Sequence, residues 1–379
     1  MSIVGVNVRG PRVRAKAMAR LFVTVRGRPQ SYTSGQAQLH GPFVLVSTGL
    51  SWAGDIMTRA IGWVGTLGAA LLSGAAGPAP APPAADLAWA YPEGSSPAPA
   101  GGFDRTRRLS LYPGAPTFTE AQTHDRLHAV DWRPRSHPAM PRIVAEGRAP
   151  DVPACGFCHL PAGEGRPENA SLAGLPRDYI VAQVRQFASG ARTSVVHGWS
   201  PSALMSTLAE HTTPAEAASA ADYFSRLPFT SHVRVIETAA TPEPAAWNFI
   251  FVTGAGKPVR PLGQRIVEGP SSRERWERRD PLIAYTAYVP PGSLKRGEAL
   301  ARGPGGSQAC ADCHGAGLKG GGLGPPLAGR SPSYLFRQLY AFKAAARTGG
   351  DAALMQAVTA RMSTSDMIAL SAWAGSRKP

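Results

Sequence analysis

The chain has 379 residues, and its basic composition is not accompanied by the signs of a nucleic-acid-binding protein. It carries 40 Lys and Arg against 25 Asp and Glu, a formal net charge of +15, yet no nucleic-acid-binding motif accompanies this charge. Residues 1–56 hold seven of the basic residues and only one acid. The rest of the chain is mildly basic, which is typical of ordinary solvation and would also steer an acidic partner.

The first recognisable element is a secretory signal sequence. A short charged start from Met57 to Arg59 precedes an apolar, uncharged run that ends in small residues and prolines. We expect residues 57–76 to be a signal peptide cleaved near its end, and residues 1–56 to be a mis-assigned N-terminal extension. The alternative is a cytoplasmic tail followed by an uncleaved membrane anchor over residues 60–80, which are just long enough to span a bilayer.

Two stretches separate the signal sequence from the first chemical motif. Residues 77–102 are rich in Pro, Ala, Gly and Ser and predict an extended linker with little packed core. Residues 103–140 predict an N-terminal extension of the domain that follows. Trp132, His137 and Met140 occur there, but such scattered side chains beside prolines more often decorate a surface, so we assign them no role.

Two copies of the motif Cys-x-x-Cys-His contain every cysteine of the chain. Two thiols three residues apart can each add to a vinyl group of one porphyrin, and the adjacent histidine then ligates the iron. A zinc site or two disulfides would leave both histidines unexplained, and a thioredoxin-like pair would normally lie in a βαβ unit. The motifs therefore predict two covalently bound haem c groups, attached at Cys155, Cys158, Cys310 and Cys313 and ligated by His159 and His314.

Both motifs belong to an internal repeat with an offset of 155 residues. Tyr, Gln and Phe recur at positions i, i+4 and i+8 after each motif, so they line one stripe of a helix. We expect this helical face to cover the porphyrin in each copy. The matched residues are Leu172, Gly174, Tyr179, Gln183, Phe187 and Arg192 in the first copy, and Leu327, Gly329, Tyr334, Gln338, Phe342 and Arg347 in the second.

The register resumes after a five-residue deletion in the second copy and places Met205 opposite Met355. Each methionine lies eight residues before a predicted helix cap, at Thr213 and Ser363, and each cap has an acid three residues later. A methionine in a helical protein is more often a packing residue than a ligand. The shared register nevertheless favours Met205 and Met355 as the axial ligands opposite the histidines.

Other candidate ligands lack this register. Met362 and Met367 have no methionine counterpart in the first copy, and we interpret them as helix-packing side chains. His197 and His211 are rival sixth ligands for the first iron, but neither has a histidine counterpart in the second copy.

With these motifs the chain resembles the class I cytochromes c, specifically the diheme kind with two domains in tandem. The resemblance implies a mainly α fold with cytochrome c domain 1 at residues 141–230 and domain 2 at residues 291–379. It also implies that an aromatic residue of each terminal helix, Tyr223 or Trp373, packs on the first helix of its domain. Between the domains, residues 231–290 contain short β-branched runs bounded by Pro and Gly and predict a partly β bridge.

In that family a Gly-Pro-x-Leu-x-Gly segment supports the proximal histidine. Residues 324–329 fit this pattern, whereas the corresponding residues 169–174 lack the prolines. The departure leaves open how the first histidine is supported, and it allows the two irons to differ in potential.

A haem whose two axial positions are filled by protein exchanges single electrons with little rearrangement. The sequence therefore predicts a periplasmic diheme cytochrome, not an enzyme, that passes electrons from a dehydrogenase to an oxidase or cytochrome acceptor. One alternative is a haem enzyme, such as a diheme peroxidase or a small-anion dehydrogenase, which should break the methionine symmetry and add an acid/base pair. Another is a cytochrome subunit docked permanently on a dehydrogenase. Membrane association is expected only if the signal sequence stays uncleaved.

Overall fold

Helices dominate the part of the chain that the structure describes. This structure, a computed structural model, describes residues 85–95, 104–253, 256–303, 310–350 and 352–379. All of them belong to one compact unit, Ala75–Pro379. None of the described helices is long and apolar enough to cross a bilayer. The predicted signal sequence at residues 57–76 and the extension before it lie outside the described residues.

Among the described residues, six α-helices precede residue 231, and the first Cys-x-x-Cys-His motif forms one of them. Around this motif Ile143, Val144, Ile180 and Phe224 form a buried apolar core. The helices are α1 (Glu120–His124), α2 (Arg142–Ala145), α3 (Cys155–His159), α4 (Arg177–Ala188), α5 (Ser200–His211) and α6 (Pro214–Ser225).

The second motif lies in a similar series of helices. A 3-10 turn, Ala316–Leu318, follows its motif helix. The helices after the first copy are α7 (Arg273–Glu277), α8 (Ser293–Arg302), α9 (Cys310–His314), α10 (Pro332–Lys343), α11 (Ala352–Thr359) and α12 (Thr364–Gly375).

The sequence repeat is visible in the helix bounds. Motif helices α3 and α9 are offset by 155 residues at both ends, and so are α4 and α10. The terminal helices α6 and α12 each begin at a reciprocal capping box. Thr213 Oγ1 accepts a hydrogen bond from the Glu216 backbone N–H at 3.2 Å, and the Glu216 carboxylate accepts one from the Thr213 N–H at 2.8 Å. These two bonds satisfy donors that a helix start otherwise leaves unpaired.

Helix α12 packs closely against α8 because a glycine separates them. A Cβ atom at Gly297 would lie 2.1 Å from the carbonyl oxygen of Ala369 and 2.7 Å from Cβ of Trp373. Only glycine permits this approach without a shift of one helix. Trp373, the aromatic residue expected at this place, therefore lies against the first helix of its copy.

Short strands recur in residues 231–290, the segment between the two copies that is called the strand segment below. β3 (Val233–Glu237) pairs in parallel with β9 (Tyr285–Val289), which pairs antiparallel with β8 (Val267–Pro270). Burial alternates along β9, where Tyr285, Ala287 and Val289 are the buried residues. The remaining pairs are β1 (Arg108–Leu109) with β2 (Phe118–Thr119), β4 (Ala240–Pro242) with β7 (Val259–Pro261), and β5 (Ala245–Trp247) with β6 (Ile250–Val252).

The strand segment contacts both copies. Arg166 of the first copy donates to the carbonyl of Trp276 at 3.3 Å, and Ser331 of the second copy donates to the carboxylate of Glu268 at 2.8 Å. That this segment fixes one haem domain against the other stays a prediction.

Part of the predicted linker is packed rather than extended. Ala85–Ala90 form a 3-10 helix, and Leu87, Ala90 and Tyr91 are buried. They join a core cluster that contains Trp199, the N-cap residue of α5, and Phe336 from α10. The high content of Pro and Ala predicts an extended chain, but burying these apolar side chains stabilises a compact one.

Residues before α2 also contribute to the core, contrary to their expected surface position. Trp132 is 1% exposed, and its Nε1 donates to the carbonyl of Arg278 in the strand segment at 2.8 Å. The His137 side chain is 4% exposed. The partners of these side chains come from distant parts of the chain, so local composition could not indicate their burial.

Replacement of Trp132 with alanine should lower the free energy of unfolding by about 3–5 kcal/mol, because it leaves a cavity and removes the bond to Arg278. Chemical unfolding followed by circular dichroism measures this loss. Leu282, 40% exposed in the strand segment, is the control, and its replacement with alanine should change stability by about 0.5 kcal/mol or less. An equal, small effect for both variants would contradict the packed position of Trp132.

Candidate haem sites

The first motif holds its histidine by a backbone carbonyl. His159 lies at the end of α3, and its Nδ1 donates to the carbonyl oxygen of Ala170 at 2.8 Å. Burial lowers the pKa of His159, so the imidazole stays neutral. With the proton on Nδ1, the Nε2 lone pair is free for a metal, and the carbonyl fixes the plane of the ring.

The second motif repeats this arrangement at the same spacing. Nδ1 of His314 donates to the carbonyl oxygen of Pro325 at 2.8 Å, and burial lowers the pKa of this imidazole too. The loop approaches the ring so closely that a Cβ atom at Gly324 would lie 2.6 Å from Nδ1 and Cε1 of His314. Gly324 is therefore part of the support for the histidine.

The first copy supports its motif without the Gly-Pro pattern. Asn169 stands in register with Gly324, and its Nδ2 donates to the carbonyl of Cys158 at 3.2 Å. In the second copy the Gly324 backbone N–H donates to the carbonyl of Cys313 at 2.8 Å. A side-chain amide of the first copy thus takes the place of a backbone amide of the second. In both copies the histidine bonds the carbonyl at the equivalent position, Ala170 or Pro325.

A largely apolar cleft opens beside the first motif. It encloses about 1480 Å³ of space free of protein atoms, part of it open to solvent. Both cysteines of the motif, His159 and Met205 line it, whereas among the described residues the rival ligands His197 and His211 are not part of the lining. Apolar side chains make up much of the rest, among them Leu172, Ile180, Phe187, Leu204, Leu208 and Phe224. Two thiols, a neutral imidazole and a thioether in one apolar cleft fit a covalently bound haem.

The second copy places its methionine on the corresponding helix. Met355 lies on α11, which packs against α10, just as Met205 lies on α5, which packs against α4. Met362 packs against the central core cluster, and Met367 is fully buried within it.

The two motifs differ in how far they are covered. Cys313 is exposed, whereas both cysteines of the first motif are half-buried. Arg279 of the strand segment stacks on the Phe157 ring at 3.3 Å and donates to the Phe157 carbonyl at 3.0 Å. Burial lowers the pKa of Arg279 to about 9. Sequence reasoning missed this contact, since nothing in the sequence distinguishes Arg279 from its neighbouring arginines.

The helical face that carries the repeated Tyr and Gln lies between the two copies as well as beside the first cleft. Arg192 donates to Gln183 at 2.6 Å, to Gln338 at 2.8 Å and to the Tyr334 hydroxyl at 3.1 Å. Arg347 donates to Gln338 at 3.0 Å and to Gln183 at 2.8 Å. Each arginine thus bonds a glutamine of its own copy and one of the other.

Backbone and ring contacts complete this arrangement. The Thr193 N–H donates to the carbonyl of Ala346 at 2.8 Å, and the Thr348 N–H donates to the carbonyl of Ala191 at 2.8 Å. Arg192 stacks on Phe187 and Arg347 on Phe342, with 4.5 and 4.1 Å to the ring centroids. The cluster therefore has approximate two-fold symmetry.

The positive charges of this cluster act on a buried phenol. Burial by itself opposes ionisation of Tyr179, but the guanidinium groups of Arg347 and Arg192 outweigh it and lower the pKa of the hydroxyl.

Replacement of Arg347 with alanine should lower the free energy of unfolding by on the order of 3 kcal/mol, because two charge-assisted hydrogen bonds are lost and two glutamines lose a donor. Arg185, exposed on α4, gives the matched control, for which a change of about 0.5 kcal/mol or less is expected. Thermal unfolding of both variants measures the difference. Equal midpoints would contradict the role of Arg347 between the copies.

The chain is similar in sequence to known proteins, although no family profile matches it. Over 230 residues the chain is 28% identical to the thiosulfate dehydrogenase electron acceptor of Thiomonas intermedia (strain K12), which covers 59% of this chain and 78% of that protein. Over 90 residues it is 37% identical to cytochrome c4 of Pseudomonas aeruginosa, which covers 22% of this chain and only 44% of that protein.

Solved structures give partial superpositions. Thiosulfate dehydrogenase (TsdBA) from Marichromatium purpuratum is 28% identical with a TM-score of 0.42, over 61% of this chain and 38% of that one. Cytochrome c4 from Pseudomonas stutzeri is 21% identical with a TM-score of 0.38, over 59% of this chain and 93% of that one. Cytochrome c4 from Acidithiobacillus ferrooxidans is 20% identical with a TM-score of 0.37, over 59% and 98%.

Two Cys-x-x-Cys-His helices, each with a histidine held by a backbone carbonyl, define a c-type cytochrome. More particularly, the chain is a diheme class I cytochrome c, and it carries two covalently bound haem c groups. The predictions of this family and of its cofactor are confirmed. The chain is thus an electron-transfer protein.

Proposed function

We propose that this cytochrome is a periplasmic carrier that takes single electrons from a dehydrogenase and passes them to an oxidase or a further cytochrome. The observation that carries the proposal is the pair of equivalent sites, each with a neutral histidine anchored at Nδ1 and a methionine in register. When bound, haem supplies reversible one-electron exchange at its iron.

The proposed haem-binding residues are the same in kind at both sites. Cys155 and Cys158 attach one haem, and Cys310 and Cys313 attach the other. His159 with Met205, and His314 with Met355, are the proposed axial pairs. Because a methionine thioether favours Fe(II), this ligand set gives a higher potential than two histidines would. It also leaves no coordination position for peroxide, which argues against the peroxidase alternative.

Contacts between the copies support transfer of electrons from one site to the other. Tyr334 and Gln338 of the second copy line the cleft of the first motif, where they bond Arg192. Side chains of the second copy therefore line the first cleft, and the arginine cluster bonds the two copies to each other. A bonded contact between the copies suits a chain that collects an electron at one site and delivers it from the other.

A thiosulfate-oxidising dehydrogenase is the proposed donor. The relative from Thiomonas, which shares 28% identity over most of its length, is named as the electron acceptor of thiosulfate dehydrogenase. We place the protein in the periplasm because the signal sequence predicted at residues 57–76 would export the chain to where haem c is attached. Free diffusion and permanent docking on the dehydrogenase are both compatible with this donor.

The test uses holoprotein made in a host that matures c-type cytochromes. Intact-mass spectrometry should find two haems per chain, and a variant with Cys310→Ala and Cys313→Ala should carry one. When a thiosulfate dehydrogenase and thiosulfate are mixed with the ferric protein, the haem absorption should change to that of the reduced form. The same mixture without thiosulfate is the control. Rapid turnover of peroxide by the unaltered protein would refute the carrier and favour a haem enzyme.

A further inference from the structure

An acidic side chain is partly buried in the loop that follows the first motif. Glu164 lies five residues after His159, between Gly163 and Gly165, whose φ angles are 73° and 67°. The Gly165 N–H donates to the His159 carbonyl at 3.0 Å, so this loop is fastened to the motif helix. The Oε2 atom of Glu164 is buried and has no hydrogen-bond partner among the described residues. Backbone N–H groups of Glu164 and Ala162 stabilise the ionised carboxylate, but a buried oxygen without a partner is costly while the group is ionised.

A row of titratable groups lies next to Glu164. Nε2 of His137 is 3.3 Å from Oδ1 of Asp131, and Nδ1 of His137 is 3.0 Å from the Tyr223 hydroxyl. That hydroxyl donates to the carbonyl of Pro161 at 2.9 Å, just before the Glu164 loop. Glu164 and His137 are close enough for each to shift the pKa of the other. Asp131 is 16% exposed and lies at the solvent end of the row.

Glu164 also lines a small cavity. The cavity measures about 20 Å³, enough for one water molecule. His232, Asp280 and Tyr285 line it too, and the Tyr285 hydroxyl is likewise buried without a partner among the described residues. The charged and titratable groups that face Glu164 are His137, Arg133, Arg166, His232, Asp280 and Tyr285. Arg166 is paired with Glu168.

The described residues of the second copy contain no such cluster. In its register Lys319 replaces Glu164, and Lys319 is exposed with its Nζ donating to the carbonyl of Pro379 at 3.2 Å. Trp373 replaces Tyr223, which removes the hydroxyl. The repeat thus supplies an internal comparison. The supports of the histidines match, whereas in the described part of the chain the first copy alone has a partly buried carboxyl at this register position.

We propose that Glu164 is a redox-linked proton-binding site that takes up one proton from solvent when the first haem domain gains an electron. This inference rests on the proposed function, because it requires the first site to be redox-active. The electron comes from the protein donor, and the proton comes from water by way of His137 or the small cavity. Each proton that is taken up offsets the charge of an added electron. No bond other than the new O–H bond of Glu164 is formed.

The direction of the coupling follows from charge. Burial raises the pKa of Glu164 to about 7, although backbone hydrogen bonds from Glu164 and Ala162 and the charges of His137 and Arg133 oppose that rise, so its protonation changes near neutral pH. An added electron removes one positive charge near the carboxylate and raises its pKa further. The reduced form therefore holds the proton more tightly, and the first centre becomes harder to reduce as pH rises through neutrality.

Spectroelectrochemical titration of the full-length holoprotein from about pH 5 to about pH 9 tests this coupling. At a fixed applied potential, the ratio of reduced to oxidised protein at one of the two centres should fall about tenfold from the low to the high end of this pH range. A difference of about one unit in the pKa of Glu164 between the two redox states gives a change of this size. Glu164→Gln should make that centre independent of pH and as easily reduced as the unaltered protein at low pH. Glu210→Gln, which removes an exposed carboxylate on α5, is the control and should keep the pH dependence.

A second measurement needs no variant. Reduction of the unaltered protein in weak buffer near pH 7 should consume a fraction of a proton per chain, detected with an indicator dye, and reduction near pH 9 should consume almost none. A pH dependence that persists in Glu164→Gln, or reduction at pH 7 without proton uptake, would overturn the proposal while the carrier function stands. If neither centre is reversibly reducible, the proposed function itself fails.

Discussion

Met205→Ala is expected to open one coordination position at the first haem and to leave the second unchanged. The unaltered ferric protein should show the far-red absorption that arises from charge transfer between sulfur and iron. Since Met205 and Met355 are proposed to contribute equally, each single replacement should remove about half of this band. The potential of the altered centre should fall because the ligand that favours Fe(II) is gone, and cyanide should bind there.

Met362→Ala supplies the matched control for this experiment. It removes a thioether from the second copy at a position that packs against the central core. We expect some loss of stability, an unchanged far-red band and no cyanide binding. If Met362→Ala removes the band, or if the unaltered protein already binds cyanide rapidly, the proposed axial pairs are wrong.

Gly324→Ala is expected to disturb the second haem site selectively. The added Cβ would lie 2.6 Å from the His314 ring, closer than unbonded atoms approach, so the loop or the imidazole must move. Overpacking of this kind costs about 1–3 kcal/mol, and here it also strains the bond from Nδ1 to the Pro325 carbonyl. Unfolding followed in the haem absorption should start at lower denaturant, and the potential of one centre should change.

Leu323→Ala is the control for the glycine variant, because Leu323 is the neighbouring residue and is 85% exposed. It should behave like the unaltered protein in both measurements. Indistinguishable results for the two variants would show that the loop does not support His314. The Asn169 position offers a further comparison, since the first copy already accommodates a side chain there.

The sequence alone predicts the parts of this protein that depend on local pattern. Both terminal helices begin at their predicted caps, because a cap depends on residues within one turn. The constant offset of 155 residues also predicts equal bounds for α4 and α10. Each of these features is decided by neighbours in the chain.

Features that depend on distant partners could not be predicted in this way. Tyr91 is buried because Trp199 and Phe336 meet it, and Trp132 is buried because the strand segment covers it. The stripe of Tyr, Gln and Phe was correctly predicted to be helical, but a periodic pattern indicates a buried face without indicating what buries it. Here the partner is the same stripe in the other copy.

The two-fold arrangement of Arg192 and Arg347 makes this interface isologous, as in a symmetric dimer whose subunits have been joined into one chain. Each arginine bonds both glutamines, so the loss of either one weakens contacts on both sides. The effects of single replacements at these positions therefore do not add, and a double-mutant cycle would report their coupling energy directly. Sequence change at this interface is constrained in the same way. A substitution at one arginine alters the surroundings of the other, so we expect substitutions in the two halves of the repeat to accompany each other here.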